Sequence, residues 1–291
     1  MLLGLALAGC GGGASTPGNG QTSQSAVTQV QADLRAALGA KVWPKIDPPF
    51  SLGPDGDTRG CGQDAVPPIA HCTWGNASAK HTIYLVGDST SASYVGAFAA
   101  IVATLPTWKL VVRSDSGCPF SAMPAPEGNG LDPDAGAAAC TDHNNKVVDE
   151  INAQHPDVVV FTSVSGAAVR ISGKEAELVR IEHAVGRIVV LPTSPPLKNP
   201  HTCYHPSGSP AECVTELPTA YRQWITNFSH MASAVGGTFI DPTALFCADN
   251  RCPVFVKTIP KTKDGVHMTV SYSQYLAPAI HELFRNAHVL P

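Results

Sequence analysis

The stretch His81-Thr-Ile-Tyr-Leu-Val-Gly87-Asp-Ser89-Thr-Ser-Ala-Ser-Tyr-Val-Gly96 decides the fold of this chain. An apolar, β-branched run stops at Gly87-Asp88-Ser89, and apolar residues then recur at helical spacing, so the pattern predicts a strand, a tight turn and a helix. A serine at such a turn stands at the carboxyl end of a strand, where its backbone N–H can face a developing negative charge. Ser89 is therefore a candidate nucleophile, and the alternative is that the serine or the aspartate only caps the helix.

A second motif, Asp264-Gly-Val-His267, lies close to the C-terminal end and just before an apolar-periodic helix. On the turn that enters this helix, the spacing can bring the carboxylate and the imidazole to one side. Asp264 would then orient His267 and stabilise its protonated form, while His267 deprotonates a serine that the fold brings near. The alternative is that His267 is an exposed or capping residue. The two motifs together favour a Ser–His–Asp triad.

Strands and helices alternate along the rest of the chain, which predicts an α/β fold. Nearly all the strands are apolar, and this is typical of a parallel sheet that is covered on both faces. Strands are expected at Thr82–Gly87, Lys109–Arg113, Asp157–Thr162, Arg187–Pro192 and Thr238–Asp241. Helices are expected at Ala26–Leu38, Ser91–Thr104, Thr141–Ala153, Gly173–Val185, Leu217–Val235 and Val270–Ala287. The polar, Pro-rich stretch Pro195–Glu216 is expected to be a loop beside the active-site edge.

The composition bounds the function. With 291 residues, of which 44% are hydrophobic, the chain is long enough for one sizeable core. The formal net charge is −4, and the 19 Lys and Arg residues form no dense run, so the sequence indicates no nucleic-acid partner. No apolar stretch reaches the length of a spanning helix.

The first ten residues, Met1-Leu-Leu-Gly-Leu-Ala-Leu-Ala-Gly-Cys10, resemble the end of a bacterial lipoprotein signal peptide, although the basic region that opens such peptides is missing. We therefore expect either that the true start lies upstream or that the sequence is trimmed, and in both cases Cys10 becomes the lipidated N-terminus on the outer side of the cell membrane. The alternative is a plain secretory signal with an incidental cysteine. Residues 11–26 would form a flexible tether, residues 27–80 an N-terminal helix with an irregular extension, and residues 81–291 the catalytic domain.

The chain has nine cysteines, and the eight that remain without Cys10 support export, because even numbers of cysteines in exported proteins are usually paired in disulfides. Without Cys10 eight remain, and their local spacings favour Cys61–Cys72, Cys203–Cys213 and Cys247–Cys252, which leaves Cys118–Cys140. The alternative is a zinc site, but the sequence contains no Cys-x-x-Cys pair. Neither a metal nor a cofactor is expected.

Taken together, these residues resemble the SGNH (GDSL-like) hydrolase superfamily. The resemblance is greatest to the SGNH domain found fused to bacterial membrane acyltransferases of the acyltransferase-3 type, and it covers roughly residues 30 to 288. It is carried by seven motifs in order: Gly60-Cys61, Cys72-Thr-Trp-Gly75, Leu85-Val-Gly-Asp-Ser89, Gly117-Cys118-Pro119, Pro156-Asp-Val-Val-Val160, Cys247 to Cys252-Pro-Val and Asp264-Gly-Val-His267.

The resemblance implies a three-layer α/β/α fold with a central parallel sheet and disulfide-stapled loops. It implies Ser89 as nucleophile, His267 as general base and Asp264 as the residue that orients it. It also implies that the oxyanion donors include the backbone N–H groups of Ser89 and Gly117, and loss of one such donor typically costs roughly 10²–10³ in rate.

Two positions depart from the family pattern. Thr90 follows the serine where the fused relatives usually have His, and the family's Asn after the third strand is not found. The sequence there is Phe161-Thr-Ser163-Val-Ser165-Gly166, so Ser163 or Ser165 is a candidate hydroxyl donor to the oxyanion, and ordinary turn chemistry is the alternative. The triad prediction is unaffected, whereas weak activation of water would suit a transferase.

The sequence therefore predicts an exported, lipid-anchored serine esterase or O-acyltransferase that works through an acyl-enzyme at Ser89. The resemblance implies a cell-envelope glycan as the substrate, and an acyl donor supplied by a separate membrane acyltransferase. The alternative is a non-catalytic glycan-binding lipoprotein on a decayed SGNH fold.

Three histidines with an acidic neighbour, at Asp142-His143, Glu182-His183 and His281-Glu282, are expected to lie on solvated helix faces.

Overall fold

A computed structural model of the chain describes residues 25–50, 58–61, 66–123, 133–164, 166 and 168–291. The predicted signal remnant with Cys10, and the predicted tether as far as residue 24, lie outside the described residues. Ser165, one of the two candidate hydroxyl donors, also lies outside them.

The centre of the molecule is a mostly parallel six-stranded sheet. Its strands are β1 Thr73–Gly75, β2 His81–Gly87, β3 Trp108–Ser114, β4 Val158–Thr162, β5 Arg187–Val190 and β7 Thr238–Phe239. Their order in the sheet is β1-β3-β2-β4-β5-β7, in which β1 is antiparallel to β3 and the other neighbours are parallel. Two small antiparallel pairs lie outside it, namely β6 Thr215–Glu216 with β8 Arg251–Cys252 and β9 Phe255–Val256 with β10 Ile259–Pro260.

Helices cover both faces of the sheet, because side chains along each apolar strand alternate between two cores. The helices are α1 Ala26–Gly39, α2 Ser89–Ala92, α3 Val95–Thr104, α4 Pro133–Gln154, α5 Ala168–Val179, α6 Pro200–Cys203, α7 Thr219–Ala234, α8 Thr243–Phe246 and α9 Val270–Asn286. Ile83 and Leu85 of β2 pack into one core with α1, α3 and α9. Tyr84 and Val86 of β2 pack into the other core with α4, α5 and α7. The predicted α/β fold with a central parallel sheet is thus confirmed, except that the edge strand β1 is antiparallel to its neighbour.

The segment before β2 shares the core with the rest of the chain. Val30 and Leu34 of α1 and the cysteines Cys61 and Cys72 are buried in the same core as Ile83. Strand β1, which sequence patterning does not predict because it has only three residues, adds an edge to the sheet next to β3. The described parts of residues 27–80 therefore pack into the same core as the predicted catalytic domain.

All four predicted disulfides are present: Cys61–Cys72, Cys118–Cys140, Cys203–Cys213 and Cys247–Cys252. They leave none of these eight sulfurs as a free thiolate, so the alternative of a cysteine zinc site is wrong. In the described part of the chain, no helix combines the length and the apolar character that crossing a membrane requires.

Several element boundaries differ from prediction. The helix expected from Ser91 begins at Ser89 and is interrupted before Val95, because Asp88 caps a separate short helix. Helix α5 spans Ala168–Val179 rather than Gly173–Val185, and the predicted loop Pro195–Glu216 contains α6, a 3₁₀ turn at Pro210–Cys213 and β6. The three elements within Pro195–Glu216 are too short to produce a detectable hydrophobic period.

Candidate active site

Strand β2 delivers Ser89 to the carboxyl edge of the sheet. Its last residue, Gly87, has a φ of 138°, and a Cβ there would lie 1.7 Å from the Thr162 carbonyl oxygen of β4. Only glycine allows the two strands to stay this close while the chain turns. Asp88 then caps α2 by accepting a hydrogen bond from the Thr90 amide at 2.9 Å, and Ser89 becomes the first residue of that helix.

The turn before α9 brings Asp264 and His267 together. Asp264 Oδ1 accepts hydrogen bonds from the amides of Val266 at 2.9 Å and His267 at 2.8 Å. Asp264 Oδ2 lies 2.6 Å from His267 Nδ1. Gly265 has a φ of 91°, and a Cβ on it would lie 2.5 Å from the Leu197 carbonyl oxygen, so the start of the Pro195–Glu216 segment supports this turn.

The fold places His267 against Ser89. Ser89 Oγ lies 2.8 Å from His267 Nε2, although the two residues are 178 positions apart in the chain. Because a carboxylate can only accept, His267 Nδ1 donates to Asp264, and Nε2 is then free to accept the proton of the Ser89 hydroxyl. The three residues that sequence analysis selected therefore form one hydrogen-bonded chain.

The electrostatics of this chain favour a charged carboxylate. Burial raises the pKa of Asp264, but hydrogen bonds from the His267 imidazole and from the His267 and Val266 amides lower the pKa by more than burial raises it. The resulting pKa of Asp264 is well below its usual range. Asp264 is therefore ionised at neutral pH. A carboxylate at 2.6 Å stabilises the imidazolium that would form when His267 takes a proton.

Gly117 lies at the same edge of the sheet as Ser89. The end of β3 pairs with the end of β2, since Ser114 is in register with Gly87. A turn follows in which the Cys118 amide donates to the Asp115 carbonyl at 3.2 Å, and the Asp115 amide donates to the Gly87 carbonyl at 2.9 Å. Gly117 has a φ of 80°, which favours glycine. The predicted donor is thus tied to the strand that carries the nucleophile.

The amide of Ser89, the other predicted backbone donor, stands at the first position of α2. In the described part of the chain, this N–H has no hydrogen-bond acceptor. A substrate oxygen could therefore accept from it.

Ser163 is held away from this role. Its side chain is fully buried, and its hydroxyl donates to Asp88 Oδ2 at 2.7 Å. The neighbouring Val164 amide donates to the same oxygen at 2.8 Å. Because a hydroxyl has one proton, Ser163 cannot donate to Asp88 and to a substrate oxygen at the same time. We therefore leave Ser163 out of the proposed set of oxyanion donors.

Two buried titratable side chains near these turns are not predicted from the sequence. Lys174 is 2% exposed and donates to the Val164 carbonyl at 2.9 Å. His143, expected on a solvated face, is 4% exposed, and its Nδ1 lies 3.6 Å from Asp115 Oδ2, so that prediction is wrong. Burial lowers the pKa of His143. The only signal for either residue is a polar side chain within an amphipathic helix, which many surface residues share.

Comparisons with known proteins agree with this fold. A family model described as "SGNH domain (fused to AT3 domains)" matches residues 57–282. Among solved structures, the periplasmic domain of a lipopolysaccharide acetyltransferase from Salmonella ser. Paratyphi A is 18% identical with a TM-score of 0.58, over 79% of this chain and 92% of that chain. The native aryl esterase of M. smegmatis is 15% identical with a TM-score of 0.46, over 71% of this chain and 99% of that chain.

A carbohydrate acetylesterase family member from Sinorhizobium meliloti is 12% identical with a TM-score of 0.42, over 70% of this chain and 99% of that chain. No curated protein matches the chain. At 18% identity the Salmonella structure shows a shared fold, whereas the family match covers most of the chain and both triad motifs. The chain therefore belongs to the SGNH domain family of the type fused to AT3 domains, and with it to the hydrolase and acyltransferase class of enzymes.

Proposed function

We propose that this protein transfers acyl groups through an acyl-enzyme on Ser89, with a glycan hydroxyl or water as the final acceptor. The observation that carries this proposal is the continuous contact from Ser89 Oγ to His267 Nε2 at 2.8 Å and from His267 Nδ1 to Asp264 Oδ2 at 2.6 Å. Nucleophile, base and orienting carboxylate stand within hydrogen-bond reach of one another, as acyl transfer by a serine requires.

In the first half-reaction, Ser89 Oγ attacks the carbonyl carbon of an acyl ester while its proton passes to His267 Nε2. The tetrahedral intermediate collapses as His267 returns this proton to the leaving alcohol oxygen, which leaves Ser89 acylated. In the second half-reaction, His267 takes a proton from the acceptor hydroxyl, whose oxygen attacks the acyl carbon. The second tetrahedral intermediate collapses as the bond from the acyl carbon to Ser89 Oγ breaks and His267 returns the proton to Ser89 Oγ. Asp264 stays ionised throughout and stabilises each imidazolium.

The backbone N–H groups of Ser89 and Gly117 would stabilise the oxyanion of each intermediate. Among the described candidates, these two amides are the proposed donors, because the Ser163 hydroxyl donates to Asp88. A glycan hydroxyl that is bound next to the acyl-enzyme would compete with water through proximity. Binding of the glycan acceptor would therefore favour transfer over hydrolysis.

An exported location and a membrane partner complete the proposal. Four disulfides are typical of proteins in oxidising compartments. The family's fusion to AT3 domains supports a separate membrane acyltransferase as the source of acyl groups, and a cell-envelope glycan as the acceptor. Lipidation at Cys10 would hold the enzyme at the outer face of the membrane near that source.

The experiment compares the soluble protein from about residue 27 with its Ser89→Ala variant. An aryl acetate is supplied with and without a cell-envelope oligosaccharide, and both phenol release and oligosaccharide mass are followed. We expect Ser89-dependent release, an acylated oligosaccharide, and fluorophosphonate labelling that Ser89→Ala abolishes. Release with an unmodified glycan would make the enzyme an esterase toward that acceptor. A protein that never labels and binds the glycan equally well with Ser89→Ala would be a binding module, which contradicts the proposal.

A further inference from the structure

The carboxylate of Asp88, the residue before the nucleophile, is buried and accepts four hydrogen bonds. Its side chain is 3% exposed. Oδ1 accepts from the Thr90 amide at 2.9 Å and from the Thr90 hydroxyl at 2.6 Å. Oδ2 accepts from the Ser163 hydroxyl at 2.7 Å and from the Val164 amide at 2.8 Å. Asp88 thus joins the turn that carries Ser89 to the loop that follows β4.

A buried cation holds the other side of this loop. Lys174 of α5 donates from Nζ to the Val164 carbonyl at 2.9 Å, and its ammonium lies 5.2 Å from the centre of the Phe228 ring. Val164 therefore bridges a buried anion and a buried cation, since its N–H donates to Asp88 and its C=O accepts from Lys174. A lone carboxylate in this environment would be costly, and a nearby positive charge offsets that cost.

We propose that Lys174 is a positioning residue for the reaction, which acts through Val164 and Asp88 to hold the Ser89 turn against the loop after β4. This inference rests on the proposed function. The segment Ser163–Val164, which follows β4, is joined to the nucleophile turn by its two hydrogen bonds to Asp88. The ammonium also offsets the negative charge of Asp88, which would otherwise disfavour a second negative charge on the oxyanion beside Ser89.

The pH profile supplies a specific signature. Burial lowers the pKa of Lys174 to about 8, while the negative charge of Asp88 raises it and the positive charge of Arg170 lowers it. Lys174 is protonated below this pH and becomes neutral as the pH rises through it. Asp88 then loses its compensating charge, so we expect kcat to fall above about pH 8.

The test compares Lys174→Met, which keeps the apolar stem, with Lys174→Arg, which keeps a positive charge that does not titrate in this range. Lys174→Met should lower kcat for an aryl acetate at least tenfold with KM within about twofold, because misplacement of a reacting group acts on the chemical step. Lys174→Arg should recover part of this loss in kcat, and its kcat should not fall above about pH 8. If Lys174→Met does not fold, the pH profile of Lys174→Arg alone tests the positioning role.

The matched control is Lys261→Met. Lys261 is fully buried, donates to the Phe246 carbonyl and lies 5.8 Å from the centre of the Tyr272 ring, so it shares the environment of Lys174 without contact to Asp88 or Val164. This variant should keep the alkaline fall in kcat. If Lys174→Met kept both the kcat and the pH profile of the wild type, or if Lys261→Met lost the alkaline fall equally, the positioning role would be overturned.

A second readout does not depend on activity. Amide hydrogen exchange at Val164 and Thr90 should become at least tenfold faster in Lys174→Met, because both amides donate to the carboxylate that Lys174 supports. Unchanged exchange at both amides would overturn the inference. Absence of Ser89-dependent turnover in the wild type would instead count against the proposed function, so the two failures are distinguishable.

Discussion

At the scale of single residues, the partner of a side chain decides its role more than its type or its place in the sequence. Ser89 and Ser163 both follow a central strand, yet Ser89 faces an imidazole and Ser163 faces a carboxylate. A hydroxyl beside a base can lose its proton, whereas one beside a carboxylate is held as a donor. Proximity in the fold, which spans 178 residues for the Ser89–His267 contact, makes this difference.

This contrast predicts the effect of Ser163→Ala. Because the Ser163 hydroxyl donates to Asp88, its loss should reduce kcat for an aryl acetate less than tenfold, compared with roughly 10²–10³ for loss of an oxyanion donor. Stability should fall by about 1.5–3 kcal/mol, the typical contribution of a hydrogen bond to a charged group. Urea denaturation and steady-state kinetics check both values. A kcat loss above a hundredfold with unchanged stability would restore Ser163 as an oxyanion donor.

At the scale of elements, one face of α4 clamps the turn that contains Gly117. Cys140 forms a disulfide with Cys118, and the Asn144 side-chain amide donates to the carbonyls of Pro119 at 3.0 Å and Ser121 at 3.2 Å. Residues four apart on a helix share a face, so both contacts reach the same segment. The helix therefore limits the movement of the proposed backbone donor.

Removing this disulfide should slow catalysis as well as destabilise the protein. In Cys118→Ala/Cys140→Ala, the Gly117 amide is less well positioned, and we expect kcat to fall about tenfold or more with little change in KM. The control, Cys247→Ala/Cys252→Ala, removes a disulfide that joins the residue after α8 to β8, and it should keep kcat in the folded protein. Equal kcat losses in the two double variants would show that disulfide loss acts on the whole fold.

At the scale of the whole molecule, the N-terminal helix is bound to the helix that follows the triad. Glu282 of α9 accepts from the Ala26 amide at 2.6 Å. Asp33 of α1 accepts from the Tyr275 hydroxyl at 2.7 Å and pairs with Lys257 at 3.1 Å. Burial raises the pKa of Asp33, but the hydrogen bonds from Tyr275, Lys257 and Gln29 and the charge of Lys257 outweigh it and lower the pKa below 3.8.

These contacts predict a pH-dependent contribution to stability. A carboxyl with a lowered folded-state pKa stabilises the protein fully above its ordinary pKa of 3.8, and this stabilisation is lost as the pH falls through the lower folded-state value. Asp33→Asn should therefore reduce the free energy of unfolding by about 1–2 kcal/mol at pH 7 and leave kcat unchanged. The difference from the wild type should shrink as the pH falls below 3.8.

Thermal or urea unfolding at several pH values checks this prediction. Asp249→Asn is the control, because its pair with Arg35 joins two side chains that are 64% and 54% exposed, and such pairs contribute little. An Asp33→Asn difference that stayed constant from pH 7 to the acid limit would contradict the assignment.

The amino-acid sequence by itself determined the features that depend on residues close together in the chain. The strand, turn and helix around Ser89 follow from a change of hydrophobic period, the Asp264–His267 pair from a spacing of three on a turn, and three disulfides from short separations. The alternation of apolar strands and helices was enough to predict a parallel sheet with two covered faces.

Tertiary structure decided the contacts between distant residues. It placed His267 within hydrogen-bond distance of Ser89 and made Asp88 the hydrogen-bond acceptor of the Ser163 hydroxyl. It also buried Lys174 beside the loop that contains Ser163. The physical reason is that periodicity shows which face of an element is buried, but a polar side chain is satisfied by whichever group the packed elements bring within about 3 Å of it. The proposed catalytic residues could thus be predicted from the sequence, whereas the hydrogen-bond network that holds them in place exists only in the folded molecule.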